Sequence, residues 1–268
     1  MNKRPFLKWA GGKYRIIERI KALLPEGDCL IEPFCGSCAV ALNTGYDRYI
    51  LADNNADLIN LYQRLQVEVE DFIEYSRYFF YPSYNNEEYY YTFREEFNSD
   101  LVGYDKAALF LYLNRHGYNG LCRYNKHGKF NVPFGRHDQP YFPEAEMRHF
   151  HEKAKAAVFK VADFRDTMRE AKLGSVIYCD PPYVPLSDTA NFKDYSPGGF
   201  SLWDQGDLAD LAKECAGRGI PVLISNHATK FTLAEYKGAR IEQFDVRRNI
   251  SCNGGNRGKA GELLVLFS

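Results

Sequence analysis

The feature that most constrains the fold of this 268-residue sequence is a series of short apolar runs, each bounded by turn-forming or polar residues. Segments long enough for helices separate most of these runs, and this alternation predicts an α/β fold with a doubly wound parallel sheet. A final apolar run at 261–267 predicts an edge or hairpin strand. The other runs are 29–34, 49–53, 156–162, 175–179 and 221–225.

The first two runs have the spacing of a nucleotide-binding βαβ unit. The turn Cys35-Gly36-Ser37-Cys38 follows the first run, residues 39–43 predict the start of a helix, and Asp53 ends the second run. Gly36 predicts a close approach of the backbone to a ligand, and Asp53 a carboxylate for both ribose hydroxyls. Because the turn keeps only one glycine, a mononucleoside-like cofactor such as S-adenosylmethionine fits better than a dinucleotide. Asp163-Phe164, after the third run, predicts a pair that binds and covers an adenine ring.

Between residue 57 and about residue 115 the pattern changes to helical periodicity rich in Tyr and Phe. A helix-bundle core is the preferred interpretation of these aromatic residues, ahead of a surface that stacks on bases. Turn signals at Asn119-Gly120 and His127-Gly128 then predict a hairpin that carries Arg and Lys. The predicted architecture is one sheet domain, interrupted by a helical insert that ends in a basic hairpin.

The charge of the chain is balanced overall but segregated along the sequence. Lys and Arg total 34 against 35 Asp and Glu, so the formal net charge of −1 gives no whole-chain signal for nucleic acid. Residues 1–20 nevertheless hold six basic residues and one acid, 106–136 hold six and no acid, and 246–261 hold four and no acid. Eleven acids lie in 55–105. Each segment alone is most simply a solvated surface, whereas three basic segments together favour a surface that binds a polyanion.

Targeting and cysteine content indicate the compartment. No apolar run approaches the ~20 residues of a membrane span, and the first residues lead into no signal-peptide core, so a soluble cytoplasmic protein is expected. The seven cysteines are scattered and are expected to be reduced thiols. Cys35 and Cys38 have the spacing of a thioredoxin-like redox pair, but that alternative leaves the other motifs unexplained. A zinc site would need a second cysteine or histidine pair.

The sequence Asp180-Pro181-Pro182-Tyr183 directly follows the run 175–179, at the strand end where ligands bind in open α/β sheets. Consecutive prolines fix φ and remove two N–H donors, which leaves the Asp180 carboxylate and the Pro181 carbonyl as acceptors. Two acceptors can hold the N–H bonds of an exocyclic amine such as that of adenine out of conjugation, while Tyr183 stacks on the base. An ordinary strand-to-loop turn would explain only the prolines.

Four motifs together identify a family. They are Phe6-Leu7-Lys8-Trp9-Ala10-Gly11-Gly12-Lys13, Glu32-Pro33-Phe34 with Gly36, Tyr118-Asn119-Gly120-Leu121 with Arg123, and Asp180-Pro181-Pro182-Tyr183. In this order they resemble the Dam-type DNA adenine-N6 methyltransferases over essentially the whole chain. The resemblance implies a Rossmann-like S-adenosylmethionine methyltransferase sheet, mostly parallel with an antiparallel last strand. It also implies a catalytic domain of 1–56 and 145–268 and a helical and β-hairpin target-recognition domain of 57–144, with the DNA-reading hairpin at about 117–137.

The same resemblance implies a reaction and its residues. A methyl group passes from S-adenosyl-L-methionine to N6 of a flipped adenine in double-stranded GATC, with S-adenosyl-L-homocysteine as product and no metal. The implied catalytic residues, which hold the flipped adenine, are Asp180, Pro181 and Tyr183. The implied cofactor-binding residues are Trp9, Ala10, Lys13, Phe34, Gly36, Asp53, Asp163, Phe164 and Asp180.

The implied DNA-binding residues have distinct roles. Lys8 and Arg123 read guanines, and the bidentate geometry of Arg suits the two acceptors on a guanine edge. Tyr118 wedges into the base stack, with Asn119 beside it, and Leu121 and Pro133 supply apolar contacts. The positions that resemble the phosphate contacts of the family are Arg94, Asn125, Asn131 and Arg136.

Two residues depart from the family pattern: Cys38 replaces a second glycine of the first turn, and His137 stands where relatives have Tyr. Ser187, Thr189, Asn191 and Phe192 match the family's loop near the flipped base. We expect a monomer that acts on double-stranded DNA in the bacterial nucleoid or a phage-infected cell. The alternatives are glutamine or cytosine-N4 methyltransferases, which commonly have Asn or Ser in place of Asp180, and a DNA-binding module without methyl transfer.

Overall fold

The computed structural model describes residues 2–184, 199–247 and 259–268. The predicted loop positions Ser187, Thr189, Asn191 and Phe192 lie outside the described residues, as does most of the basic segment 246–261. Within the described residues, seven strands form one sheet in the order β3-β2-β1-β4-β5-β7-β6. The strands are β1 (Cys29–Glu32), β2 (Arg48–Asp53), β3 (Ala157–Val161), β4 (Ser175–Cys179), β5 (Val222–His227), β6 (Arg240–Arg247) and β7 (Lys259–Phe267).

The sheet is mostly parallel, with antiparallel strands at the C-terminal end of the chain. β4 pairs in parallel with β1 and with β5, whereas β7 pairs antiparallel with β5 and β6. The predicted α/β fold, Rossmann-like with an antiparallel last strand, is therefore confirmed. The alternative that β7 is an edge strand is wrong, because β7 lies between β5 and β6 and forms the hairpin with β6.

Within the described residues, one α-helix precedes β1 and the others lie between strands. Residues 54–156 hold most of them and separate β2 from β3. The α-helices are α1 (Ile17–Leu23), α2 (Ala56–Val67), α3 (Val69–Tyr78), α4 (Glu87–Phe97), α5 (Gly103–His116), α6 (Glu144–Ala154), α7 (Phe164–Arg169), α8 (Leu202–Gly217) and α9 (Lys230–Glu235).

The chain packs as two compact units. The first contains 1–18, 35–45 and 51–161, and the second contains 19–34, 46–50 and 162–268. The predicted division into catalytic and target-recognition domains is a statement about function and stays a prediction.

The first unit is built around α5, whose residues 107–116 are all buried. A helix that is buried on every side must be covered by its neighbours, and α2, α3 and α4 pack against it. Tyr90 and Tyr112 are completely buried among these helices, and Tyr62 of α2 is completely buried against Phe6 and Phe150. The preference for a core role of the crowded aromatic residues is therefore confirmed for these members.

The second unit has its core between the sheet and helices α7 and α8. Ile31, Ile177 and Ile224 of three neighbouring strands pack in one apolar cluster with Leu208 and Val265. β4 is buried along its whole length, as expected for a central parallel strand covered on both faces. The burial fixes the strand end from which Asp180 emerges.

The predicted helix start at 39–43 is wrong. Only a 3₁₀ turn, Ala41–Asn43, forms there, and Thr44 is already extended. Cys38 adopts a left-handed φ of 57°, which ends the turn, and few residues remain before β2. Asn43 N–H bonds to the Val40 carbonyl and Thr44 N–H to the Ala41 carbonyl, three residues back, so the chain tightens into a 3₁₀ turn and does not continue as an α-helix.

The predicted hairpin at 117–137 forms with little regular ladder. Isolated antiparallel bridges join Gly117 to Phe134 and Tyr124 to Phe130. Asn119 and Gly120 both have positive φ, at 53° and 62°, and this agrees with the turn that their sequence predicts. Backbone hydrogen bonds also cross the hairpin, from Tyr118 N–H to the Pro133 carbonyl and from Asn131 N–H to the Arg123 carbonyl, and side chains add the contacts described below.

Candidate active site

In the second unit, the Asp180 carboxylate is held by the neighbouring strand. The register of β4 and β5 pairs Cys179 with Ile224, so Asp180 and Ser225 follow side by side. The Ser225 hydroxyl donates to Asp180 Oδ1 at 2.9 Å, and Ser225 Oγ lies 3.1 Å from the Tyr178 hydroxyl. Asp180 is thus oriented at the carboxyl end of the sheet, as the sequence predicts.

Two amide side chains hold the backbone that follows Asp180. Gln205 donates from Nε2 to the carbonyl of Pro182 at 2.7 Å, and Val184 N–H donates to Asn226 Oδ1 at 3.2 Å. Asn226 in turn donates to Gln205 Oε1 at 2.9 Å. Both amides are buried, and buried polar groups that are fully bonded favour one conformation. Within the described chain, no donor reaches the Pro181 carbonyl, which suits the acceptor role predicted for it.

Tyr183 packs edge-on against the ring of His227, with 4.6 Å between ring centres. Burial raises the pKa of Tyr183 well above its ordinary value, and the Asp180 carboxylate adds to the rise. The phenol therefore stays neutral and presents an aromatic surface beside the acceptors of the turn. This agrees with the predicted stacking role rather than with acid–base chemistry at Tyr183.

An aromatic cluster lies at the start of α7 in the same unit. Phe34 stacks on Phe164 with 5.2 Å between ring centres, and Phe200 packs edge-on against Phe34 at 5.6 Å. Asp163 caps α7 by accepting from Arg165 N–H at 2.8 Å. The Arg165 guanidinium lies over the Phe164 ring at 4.4 Å. The predicted cofactor residues Phe34, Asp163 and Phe164 are thus neighbours. Phe200 and Arg165, which the sequence did not predict for this cluster, contact them as well.

In the first unit, Asp53 is oriented by backbone N–H groups. Gly36 N–H donates to Asp53 Oδ2 at 3.1 Å, and Asn55 N–H donates to Oδ1 at 3.0 Å. Burial raises the pKa of this carboxyl, and the backbone donors oppose the rise. A half-buried, oriented carboxylate at the end of β2 suits the ribose hydroxyls that the sequence predicts for it.

The structure brings a side chain close to Gly36, whereas the predicted approach of its backbone to a ligand stays a prediction. A Cβ on Gly36 would lie 2.8 Å from Nε1 of Trp9, so the indole occupies the space that a side chain would fill. Lys13 is buried and donates from Nζ to the carbonyl of Gly11. Ala10 is exposed. The structure thus joins Trp9 to the first turn and leaves Ala10 at the surface.

The hairpin of the first unit is anchored to the residues that follow Asp53. Asn55 donates from Nδ2 to Cys122 Sγ at 3.4 Å, and the Tyr124 hydroxyl donates to Asp57 Oδ2 at 2.7 Å. These contacts fix the backbone on both sides of Arg123. Arg123 donates from Nε to Asn131 Oδ1 at 2.7 Å and from Nη2 to the Asn131 carbonyl at 3.1 Å.

The other predicted DNA-binding residues lie along this hairpin. Tyr118 is 52% exposed, and its N–H donates to the carbonyl of Pro133 at 2.9 Å. Asn125 accepts from His127 N–H and Lys129 N–H and so closes the turn. Arg94 Nη1 donates to the Val132 carbonyl, and Arg136 forms an exposed ion pair with Glu87. Asn119 is exposed, and Leu121 is half-buried.

The residues that sequence reasoning missed are polar and buried. They include Ser225, Asn226 and Gln205 around the Asp180 turn and Asn114 beside Lys8. The triplet Ser225-Asn226-His227 was a usable signal, because it follows the apolar run next to the one that precedes Asp180.

The alternatives to a transferase gain no support. Cys35 and Cys38 are both buried thiols without a disulfide, whereas a redox pair must be reached by its partner. No group of three His, Cys, Asp or Glu side chains suited to a metal ion occurs in the part of the chain that the structure describes. Among the helices of that part, none is long and apolar enough to cross a membrane.

An acceptor-rich turn after a buried parallel strand and, in the other unit, a carboxylate oriented at the end of β2 are each typical of an amino-methyltransferase. A family model for D12 class N6 adenine-specific DNA methyltransferases matches residues 9–250. The chain belongs to this family, and its activity is that of an adenine-specific DNA methyltransferase.

Several bacterial proteins are similar in sequence to this chain over nearly its whole length. The DNA adenine methylase of Escherichia coli K12 is 53% identical over 264 residues, which cover 98% of this chain and 95% of the relative. The DNA adenine methylase of Salmonella typhi gives the same values. That of Serratia marcescens is 53% identical over 265 residues, which cover 98% of each chain.

Proposed function

We propose that this protein transfers the methyl group of S-adenosyl-L-methionine to N6 of adenine within double-stranded GATC, after flipping the adenine out of the helix. The observation that carries the proposal is the Asp180 carboxylate, oriented by Ser225 and followed by the rigid Pro181-Pro182 turn. Base flipping belongs to the proposal because the stacked and paired amine of a duplex adenine is out of reach of a buried strand end.

The residues around Asp180 supply acceptors for the amine. The lone pair of the adenine amino group is delocalised into the ring, and hydrogen bonds to Asp180 Oδ and to the Pro181 carbonyl draw its N–H bonds out of the ring plane. Tyr183 holds the base by stacking. As N6 forms its new bond to carbon, it becomes positively charged, and the Asp180 carboxylate stabilises that charge until a proton leaves the nitrogen.

The residues assigned to the cofactor fit a nucleoside. When bound, S-adenosyl-L-methionine supplies a methyl group activated by a sulfonium, and S-adenosyl-L-homocysteine remains after transfer. Asp53 would accept from the ribose hydroxyls, since two backbone N–H groups already orient its carboxylate. Phe34, Asp163 and Phe164 would hold the adenine ring, and Trp9, Ala10, Lys13 and Gly36 would line the methionyl side.

The DNA is held by the basic hairpin and the Lys8 segment. Lys8 and Arg123 would donate to guanine acceptors in the major groove, Tyr118 would enter the stack, and Leu121 and Pro133 would contact bases. Arg94, Asn125, Asn131 and Arg136 would contact phosphates, with Asn119 beside them. We further propose a monomer that acts in the bacterial cytoplasm, on a nucleoid or in a phage-infected cell, with roles in replication, mismatch repair or protection from restriction.

The proposal is tested by methylating plasmid DNA with the purified protein and labelled cofactor. We expect the product to resist a restriction enzyme that methyl-GATC blocks and to be cut by one that requires it. Asp180→Ala should lose transfer while it retains duplex binding. Label at sites other than GATC would contradict the specificity, and duplex binding without label would favour the module that only binds DNA.

A further inference from the structure

The C-terminal turn of α5 buries three consecutive polar side chains. Asn114, Arg115 and His116 are 2%, 8% and 1% exposed. Such groups are costly to bury unless they are bonded. The partners of Asn114 and Arg115 include the segment of Lys8, one of the two predicted readers of guanine.

Asn114 clamps the backbone of Lys8 with both ends of its amide. Lys8 N–H donates to Asn114 Oδ1 at 2.9 Å, and Asn114 Nδ2 donates to the Lys8 carbonyl at 2.7 Å. The same Nδ2 lies 3.4 Å from the carbonyl of Gly120. One buried amide therefore joins the Lys8 segment to the turn that carries Tyr118.

Gly120 supports the stem of the Lys8 side chain. It has a left-handed φ of 62°, and a Cβ at this position would lie 2.2 Å from Cβ of Lys8 and 2.7 Å from its Cδ. The methylene chain of Lys8 therefore rests directly on the Gly120 backbone. Any side chain at residue 120 would displace it.

The end of the Lys8 side chain is also held. Its Nζ lies 3.4 Å from the Arg115 carbonyl and 3.4 Å from Nε2 of His137. Burial lowers the pKa of Lys8, and the positive charge of Arg115 lowers it further. The backbone, stem and ammonium of this lysine are thus all in contact with fixed groups of the first unit.

We propose that Asn114 and Gly120 are positioning residues that set the Lys8 ammonium for guanine recognition. The inference rests on the proposed function and extends it to residues that touch no DNA. A lysine carries a point charge on a flexible stem, without the rigid fork of arginine. It therefore reads a base selectively only if the protein fixes the stem before binding, which avoids the loss of side-chain entropy in the complex.

The chain offers matched controls for both residues. Asn43 clamps the backbone of Lys3 with the same pair of bonds, at 2.7 Å and 2.9 Å. Gly128 has a φ of 72° like that of Gly120, but nothing lies within 4 Å of a Cβ built there. Gly120→Ala and Gly128→Ala therefore share the backbone strain and differ in the contact with Lys8.

The test uses a duplex with one GATC site whose lower strand is already methylated, so that only the upper adenine reacts and the two guanines become distinguishable. 7-Deazaguanine, which lacks the N7 acceptor, replaces each guanine in turn. Single-turnover rates with S-adenosyl-L-methionine are measured for wild type, Lys8→Met, Gly120→Ala, Gly128→Ala, Asn114→Ser and Asn43→Ser. Thermal melting of each variant identifies any that fail to fold.

We expect wild type to slow about tenfold with either analogue, since N7 is one of the two major-groove acceptors of guanine that a Lys or Arg contacts. Lys8→Met, Gly120→Ala and Asn114→Ser should lose the response at the same one guanine and keep it at the other. Gly128→Ala and Asn43→Ser should respond like wild type at both.

Two results would overturn the inference while leaving the proposed function intact. In one, Gly120→Ala responds to both analogues as Gly128→Ala does; in the other, Gly120→Ala and Asn114→Ser fold but lose both responses equally. A wild-type protein that does not methylate the duplex contradicts the proposed function, and the positioning role fails with it.

Discussion

Asp180 takes its direction from a hydroxyl on another strand, so the reactive geometry depends on Ser225 as well as on the motif itself. The Ser225 hydroxyl reaches the carboxylate at 2.9 Å and also contacts the Tyr178 hydroxyl. A carboxylate that is free to rotate would hold the adenine amine less well in the transition state. Ser225 therefore belongs to the site although no motif includes it.

We expect Ser225→Ala to lower the methyl-transfer rate constant about tenfold or more while DNA and cofactor binding change little. The reason is that a hydrogen bond to a charged group contributes about 1.5–3 kcal/mol, and this one orients Asp180 rather than holding the substrate. Single-turnover transfer and equilibrium DNA binding measure the two effects. Ser76→Ala is the control, since the Ser76 hydroxyl is buried without a hydrogen-bond partner among the described residues. Equal rates for the two variants would contradict the role of Ser225.

His116 makes stability depend on pH. Burial lowers its pKa from 6.5 to about 3, against a weaker opposing effect of the Tyr112 carbonyl. The ring stacks on Tyr112 with 3.9 Å between centres. Between pH 3 and pH 6.5 the unfolded chain binds a proton at His116 and the folded chain does not. Protonation of this histidine therefore favours unfolding.

We expect the stabilisation from neutral His116 to be complete above about pH 6.5 and to disappear as the pH falls toward 3, by on the order of 5 kcal/mol in total. Urea unfolding of wild type and His116→Phe at pH 7.5, 6 and 5 measures this. The free energy of unfolding should fall less steeply with decreasing pH in the variant. Parallel curves for the two proteins would show that His116 is not the responsible group.

At the scale of elements, the N-terminus of α8 is fixed by a reciprocal cap. Asp204 N–H donates to the Ser201 hydroxyl, while Asp204 Oδ2 accepts from Ser201 N–H. The Arg165 guanidinium, which lies over Phe164, binds Asp204 as well. The helix that supplies Gln205 to the Asp180 turn is therefore tied to the aromatic cluster of its own unit.

We expect Ser201→Ala to lower the free energy of unfolding by about 1 kcal/mol and Ser201→Gly by only a few tenths. Alanine loses the capping oxygen, whereas glycine lets water reach the exposed N–H groups. Urea denaturation at pH 7.5 compares the two variants with wild type. A loss as large for glycine as for alanine would mean that packing of the serine, not its cap, stabilises the helix.

The elements that the sequence predicts best are those whose pattern and burial agree. The runs at 175–179 and 221–225 became central strands because continuous apolar residues suit strands covered on both faces. β6 escaped prediction because apolar and polar residues do not alternate regularly along the sequence of Arg240–Arg247, which forms the edge of the sheet. The helix start at 39–43 was predicted from local sequence, but the chain forms a 3₁₀ turn there and becomes extended at Thr44.

The same contrast applies to the site. Asp53 and Asp180 could be predicted because each ends a recognisable strand. Ser225, Asn226 and Asn114 could not be assigned partners, because the partner of a buried amide or hydroxyl depends on strand register and helix packing. In the hairpin, Asn131 was predicted to contact phosphate, yet it holds Arg123 in the described structure. Its role toward DNA stays a prediction.

At the scale of the whole molecule, a formal charge of −1 must be reconciled with a polyanionic substrate. The basic residues of the hairpin and the acids of α3 and α4 lie in different stretches of the first unit. Local charge, rather than net charge, sets the number of phosphates that the protein neutralises. Non-specific DNA binding is almost entirely electrostatic. The acids should therefore weaken non-specific binding more than binding to a site that the protein also contacts through its bases.

We expect the combined change Glu95→Gln, Glu96→Gln and Asp100→Asn to tighten binding of a duplex without GATC more than binding of a duplex that contains it. All three side chains are exposed, so their removal should cost little stability.

Arg136→Ala, which removes a 77% exposed side chain, is the opposite case: it should weaken binding of both duplexes equally and reduce the slope of log affinity against log salt by about 1. Titrations of both duplexes between 50 and 200 mM salt separate these effects, because a change in long-range charge depends on salt and a base contact does not. If the triple variant tightened both duplexes by the same factor at every salt concentration, the acids would have no part in discrimination.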